Sequence, residues 1–203
     1  MIKMLGKSNA KEASDIIKDG GIVAFPTDTV FGLGICCDSI DAFNRLVKVK
    51  NRPADKPFTM MCWNVEQIAN YTNISNKELE FLKQFLPGKL TAVVKAKEDF
   101  PDHIDLGTGY VGVRVPLDMF TMEFIMRCGT PILVPSANKS GDEPCINSKQ
   151  VIEIFKDEIE ACVVGECTSN IPSTVIKLSD GKIELLRQGA IPFETLEEAW
   201  RKL

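Results

Sequence analysis

Residues 174–186 read Thr-Val-Ile-Lys-Leu-Ser-Asp-Gly-Lys-Ile-Glu-Leu-Leu, and this stretch decides between two kinds of sheet. Residues 174–178 and 183–186 are strand-like. Asp180-Gly181 between them tolerates the positive φ angles that a two-residue hairpin requires. The expected product is an antiparallel pair at the end of a chain that otherwise alternates strand and helix. A purely parallel sheet needs a crossover between successive strands, so a terminal hairpin makes the sheet mixed. The expected class is α/β (α+β), an open, twisted mixed β-sheet with helices packed on it.

Upstream segments supply that alternation. Asn9-Ala-Lys-Glu12 has the spacing of a capping box and opens a helix that stops at Gly20-Gly21. Residues 22–25 form an apolar strand, and 26–34 read as a polar, glycine-bearing loop. Ile40, Phe43, Leu46 and Val47 give residues 40–50 a helical face. Residues 58–63 are strand-like. Ser75-Asn-Lys-Glu78 is a second capping box whose helix ends before Pro87-Gly88. Residues 90–94, 111–115, 132–134 and 161–164 read as strands, whereas 118–128, 148–157 and 194–203 read as helices. No internal repeat or linker-like segment divides the chain, so residues 1–203 are expected to form one domain.

At 203 residues, with 44% hydrophobic and 26% charged, the chain is long enough for a full core. No apolar run approaches the ~20 residues of a membrane span, and the first residues lack the apolar stretch of a signal peptide. Seven cysteines occur without regular spacing or a Cys-x-x-Cys pair, which points to a reducing, cytoplasmic setting. Vicinal Cys36-Cys37 reads as buried small hydrophobes, with a reactive thiol as the other reading. His103 is the only histidine, which argues against paired-histidine mechanisms and histidine-based zinc sites; it reads as a surface-loop residue. No metal-ligand set is expected.

Residues 47–58, Val-Lys-Val-Lys-Asn-Arg-Pro-Ala-Asp-Lys-Pro-Phe, crowd Lys48, Lys50, Arg52 and Lys56 against Asp55 alone, in a chain of formal net charge -4. Pro53 and Pro57 stiffen that backbone. Two readings stand: a local anion pocket of the kind that takes phosphate, or cations at a helix C-terminus. Other polar groups follow apolar strands. Thr27 and Thr29 carry hydroxyls, with Gly32 and Gly34 permitting close backbone approach. Arg114 sits in an apolar strand, where it either clamps a carboxylate or forms a structural ion pair. Ser136 and Asn138 are spaced to point the same way in an extended segment. Ser173 and Arg187 repeat the pattern later. No Walker-type loop is present.

Taken together, Pro26-Thr-Asp-Thr-Val-Phe-Gly-Leu-Gly34, Lys50-x-Arg52-Pro with Lys56-Pro, Ser136-x-Asn138, Ser173-Thr-Val and Leu186-Arg187-x-Gly-Ala-Ile resemble the YrdC/Sua5 family over about residues 10–193. Two positions depart from the family pattern: Phe31 stands where tyrosine is usual, and Asp118 where histidine is common. The resemblance implies a YrdC-like sheet with a basic concave face. It also implies an L-threonylcarbamoyladenylate synthase, which forms threonylcarbamoyl-AMP and pyrophosphate from L-threonine, bicarbonate and ATP for threonylcarbamoyladenosine in tRNA.

On that reading Lys50, Arg52 and Lys56 hold the triphosphate with Mg²⁺, and Lys50 and Arg52 carry the catalysis. Ser136, Asn138 and Arg187 complete the nucleotide site. Arg114, with Thr29 and Ser173, takes threonine. The product passes to a threonylcarbamoyl transferase complex, with tRNA contact as a further possibility and no membrane partner. The alternative is a non-catalytic tRNA or double-stranded-RNA-binding module of the same fold. A net charge of -4 with two Trp and two Tyr argues against broad stacking on single strands. A carbamoyl-adenylating role like that of hydrogenase-maturation proteins would need a longer chain and Cys-x-x-Cys motifs.

Overall fold

The computed structural model describes residues 1–53, 57–167 and 171–203. The elements run β1 (Lys3–Leu5), α1 (Ala10–Lys18), β2 (Val23–Phe25), β3 (Gly32–Cys36), α2 (Ile40–Lys50), β4 (Thr59–Met61), α3 (Val65–Tyr71), α4 (Asn76–Phe85) and β5 (Leu90–Lys95). They continue with α5 (Asp102–Asp105), β6 (Tyr110–Arg114), α6 (Met119–Cys128), β7 (Ile132–Leu133), α7 (Ser148–Phe155), β8 (Ala161–Val163), β9 (Thr174–Ser179), β10 (Lys182–Arg187) and α8 (Phe193–Arg201).

The strands form one ten-stranded sheet in the order β1-β8-β2-β3-β7-β4-β6-β5-β9-β10. Pairing is parallel at β1–β8, β2–β8, β4–β6 and β5–β9, and antiparallel at β2–β3, β3–β7, β4–β7, β5–β6 and β9–β10. The mixed sheet is therefore as expected. At the hairpin that announces it, Asp180 has φ 54 and Gly181 φ 70, the left-handed pair that two-residue turns require.

The sheet's two faces are covered unequally. Ile22, Ala24, Met60, Ala92, Val94, Val111, Val113, Ile176 and Leu178 point to one side, where they meet Leu46 of α2, Ile68 of α3, Phe81 of α4, Val151 of α7 and Trp200 of α8. On the other side, Val23, Phe25, Ile132 and Val163 pack under Ala13 and Ile17 of α1 and Phe120 and Phe124 of α6. Period-two alternation sends successive strand residues to opposite faces. The described helices α1 and α6 cover only the β1–β7 end of that second face. Alternate residues of β4, β6, β5 and β9 there face an open concavity.

Several local expectations need correction. Residues 32–36 form a strand, β3, instead of loop. Glycine is needed there because a Cβ on Gly32 would meet Val134 Cγ1 at 2.5 Å, and one on Gly34 would meet Phe25 Cε1 at 2.8 Å. The Asn9 box does not form: the Asn9 side chain turns back to accept from the Gly6 amide at 2.9 Å, and its amide group donates to Glu12. The Ser75–Glu78 box forms with both reciprocal bonds. His103 lies in the short α5, half-buried, with Nε2 2.9 Å from the Cys37 carbonyl and its ring against Phe43. Elements β1, α3 and α5 were not legible, being three, seven and four residues long. Such short segments owe their order to neighbours: β1, for example, is fixed by pairing with β8.

Candidate functional site

The concavity is a cavity of about 460 Å³, within the size range of small-ligand sites. Its floor is built in register. Thr59 of β4 lies beside Gly112 of β6, which lies beside Val93 of β5. Met61 lies beside Arg114, and Thr91 beside Val175. Gly112 is the residue that keeps the centre open, since its Cβ position lies 3.7 Å from Thr91 Cγ2 and any side chain would rise into the cavity. The walls come from Thr27, Thr29, Phe31, Arg52, Ser136, Ser173 and Arg187. Three arginines line it, and no aspartate or glutamate does among the described residues. A low-dielectric hollow with one sign of charge concentrates anions.

Arg114 is 4% exposed, and its guanidinium is largely committed. Nε donates to the Gly88 carbonyl at 3.1 Å, Nη1 to Thr29 Oγ1 at 3.1 Å and Nη2 to Asp28 Oδ1 at 2.7 Å. Burial pulls its pKa down and the Asp28 carboxylate pulls it back up. The structural ion pair is therefore present. It coexists with an exposure to the cavity, because three of the five N–H groups are used and Arg114 remains part of the lining. Thr29 is held in turn by Thr27, whose hydroxyl lies 3.0 Å from Thr29 Oγ1 and donates to the Val30 carbonyl at 2.7 Å.

Across the cavity, Ser173 Oγ lies 2.8 Å from Thr91 Oγ1. Arg187 Nη2 donates to the Ser173 carbonyl at 2.9 Å. This ties β10 to the segment before β9, and partial burial lowers the Arg187 pKa. Arg52 donates to the Pro57 carbonyl at 3.0 Å and stacks over Phe58 at 5.1 Å, a cation–π contact that orients the guanidinium at the rim.

Lys50 is a buried cation. It is 1% exposed and absent from the lining. Its ammonium donates to the Ser136 carbonyl at 2.6 Å, the Asn138 carbonyl at 2.7 Å and Asn138 Oδ1 at 3.2 Å. Three N–H donors meet three acceptors. Burial, with the neighbouring Arg52 charge second, pushes its pKa down to about 7. Asn138 is equally occupied: Oδ1 also accepts from Ser136 Oγ at 2.6 Å, and Nδ2 donates to the carbonyls of Lys139 and Asp142. Lys50 and Asn138 thus form one buried lock beneath the rim, while Ser136 and Arg52 reach the cavity. Lys56 lies outside the described residues.

Of the two departures, Phe31 is fully buried, keeps its ring in the cavity wall and donates its amide to the Cys145 carbonyl at 2.9 Å. Asp118 has a local duty. It caps α6, accepting from the Thr121 amide at 2.9 Å and hydroxyl at 2.8 Å, and pairs with Lys7. It does not line the cavity. Sequence reasoning missed Asp28, Thr91 and Gly112. Asp28 lies in the quoted threonine-rich segment; Thr91 and Gly112 stand out only once register is known. Among the described residues no group of three His, Cys, Asp or Glu side chains could hold a metal.

A family model described as telomere recombination, Sua5/YciO/YrdC, matches residues 15–189. The chain is 37% identical over 189 residues, 92% of its length, to a threonylcarbamoyl-AMP synthase of Pyrococcus abyssi. It is 31% identical over 189 residues to the enzyme of that name from Bacillus subtilis. The crystal structure of P. abyssi Sua5 complexed with L-threonine superposes with a TM-score of 0.91 at 34% identity, covering 98% of this chain. The chain spans 55% of the length of each of those two curated relatives and 60% of that crystallised chain.

Proposed function

Because the chain belongs to the Sua5/YciO/YrdC family, we propose that it is a threonylcarbamoyl-AMP synthase, joining L-threonine, bicarbonate and ATP with release of pyrophosphate. The observation that carries this reading is the cavity itself, which gathers three arginines, four threonine or serine hydroxyls from the quoted motifs and, among the described residues, no carboxylate onto the helix-free part of one sheet face. Such a lining suits a substrate pair that brings a triphosphate and a carboxylate. The relatives' names and the threonine complex of P. abyssi Sua5 support the choice of substrates.

In the proposed reaction, the threonine ammonium gives up a proton to solvent and the free amine attacks the carbon of bicarbonate, giving an N-carboxylate and water. Its oxygen attacks the α-phosphorus of ATP, and the bond to the β-phosphate oxygen breaks as pyrophosphate leaves. The N-carboxylate is already anionic, so its attack on the α-phosphorus needs no general base. The protein supplies position and charge neutralisation. Arg52 and Arg187, at opposite walls, are assigned to the phosphates, together with Ser136 and Lys56. The free N–H groups of Arg114, with Thr29 and Ser173, are assigned to the threonine carboxylate and hydroxyl. Lys50 and Asn138 act from below by fixing Ser136 and the turn that leads to Arg52.

With no carboxylate in the lining among the described residues, those residues do not fit a resident metal; magnesium enters as part of the MgATP substrate. The product is a reactive mixed anhydride, which suits direct delivery in the cytoplasm to a transferase acting on tRNA. Residues 1–203 are taken as one domain, in keeping with a sheet that runs from β1 to β10. No helix among the described residues is long and apolar enough to cross a membrane. The test is incubation with ATP, labelled bicarbonate and each amino acid. Pyrophosphate and a labelled adenylate should form with threonine alone; ADP and orthophosphate instead would refute adenylyl transfer.

A further inference from the structure

An α-helix leaves its last four carbonyls without intrahelical partners. In α2, two of these are closed by the helix's own turn: Arg52 N donates to Val47 O at 3.0 Å and Asn51 N to Lys48 O at 3.0 Å, with Asn51 in the left-handed region at φ 50. The remaining two are closed by the loop after β7. Ser140 N donates to Lys50 O at 2.8 Å, and Lys139 Nζ donates to Val49 O at 2.6 Å. The same loop accepts the Lys50 ammonium through Ser136 and Asn138. Helix end and loop are therefore joined by bonds running in both directions. Each carries a polar side chain that reaches the cavity, Arg52 from the helix end and Ser136 from the loop.

Among the described residues, Lys139 is the loop side chain that donates to a carbonyl of this helix end, and it is itself held. Its ammonium meets Glu158 Oε1 at 2.8 Å and Oε2 at 2.9 Å and sits over the Phe155 ring at 5.1 Å. The Glu158 amide is anchored on the Phe155 carbonyl at 2.7 Å. Lys139 does not line the cavity. An exposed lysine–glutamate pair alone contributes little, but this one aims a cation at a helix C-terminal carbonyl, where the dipole favours it.

We infer that Lys139, braced by Glu158, is a positioning residue for the phosphate side of the site, acting through the α2 C-terminal turn that presents Arg52. The kinetic half of this inference rests on the synthase reading; the coupling between helix end and loop does not.

The experiment pairs steady-state kinetics with amide hydrogen exchange on the full chain. Lys139→Met keeps most of the stem over Phe155 but removes the donor. The ATP KM should rise about 5-fold, with kcat and threonine KM within about 2-fold of the parent, as removal of ground-state positioning at one subsite requires. Lys139→Arg, which can still donate to Val49 O and pair with Glu158, should restore the parent ATP KM. The Arg52 and Ser140 amides should exchange faster in Lys139→Met and at the parent rate in Lys139→Arg. An unchanged ATP KM, equal rises in both KM values, or an arginine variant that behaves like methionine would overturn the inference. If Lys139→Met does not fold, Glu158→Ala replaces it, with a smaller rise in ATP KM expected and a parent-like value overturning the inference. A parent that releases no pyrophosphate would refute the synthase reading alone. In that case the exchange rates still decide whether Lys139 couples the two segments, and unchanged rates would refute it.

Discussion

Replacing Arg114 by methionine would break a pair buried on both sides. The arginine is 4% exposed and the Asp28 side chain 11%. Methionine fills much of the volume but leaves Asp28 Oδ1 without its donor, and Oδ2 already has no hydrogen-bond partner. Removing one member of a buried ion pair typically costs about 3–5 kcal/mol. For a chain of this length each kcal/mol moves Tm by about 2–4 °C, so the loss should be about 6–20 °C. The double variant Arg114→Met/Asp28→Leu exchanges the whole pair for apolar groups, and should recover most of that loss because no charge is stranded. Melting curves of the parent, both single variants and the double variant form the assay. Single effects that simply add in the double variant would refute the ion-pair reasoning. The milder Arg114→Lys keeps a cation near Asp28 but loses the planar fork. Threonine KM should rise severalfold with little change in ATP KM, and an ATP-specific defect would move Arg114 into the nucleotide subsite.

Lys50→Met should cut turnover at least ~10-fold, since it frees the Ser136 and Asn138 carbonyls that hold the rim; activity within twofold of the parent would sink the lock. The same residue gives a pH signature. Its folded pKa of about 7 lies below the ordinary 10.5, so between those values the unfolded chain binds more protons, and stability rises with pH across that window. This contribution is fully present above 10.5 and lost as pH falls through about 7; denaturant melts of Lys50→Met should lack that slope. Gly112→Val should leave the fold intact, because valine suits a strand, yet abolish turnover by filling the cavity floor; an active, folded variant would show that substrates bind elsewhere.

Much of the molecule was legible because its signals are local. The β9–β10 hairpin follows from Asp180-Gly181, and the α4 start from Ser75 and Glu78, because each rests on backbone and side-chain preferences within a few residues. Helix α2 is legible through one apolar stripe. The glycine-bearing segment after β2 was misread because Gly32 and Gly34 look like loop residues in one dimension. Their reason is the close approach of Val134 and Phe25, which lie far off in sequence or on the paired strand.

The candidate site divides along the same line. From the sequence alone Thr29, Arg52, Arg114, Ser136, Ser173 and Arg187 were all named as candidates, and all line one cavity. The sequence could not determine their states. Lys50 and Arg52 are two residues apart and read as equivalent cations. Yet the helix turn buries the first against Ser136 and Asn138, some 86 and 88 positions away, and leaves the second at the rim. Arg114 read equally well as carboxylate clamp or ion pair, and only the register that sets β6 within reach of Asp28 gave it a partner. Residue type and local spacing are written along the chain. Burial, counter-charge and free hydrogen-bonding capacity are set by which distant segments the sheet brings together, and those are decided by tertiary structure.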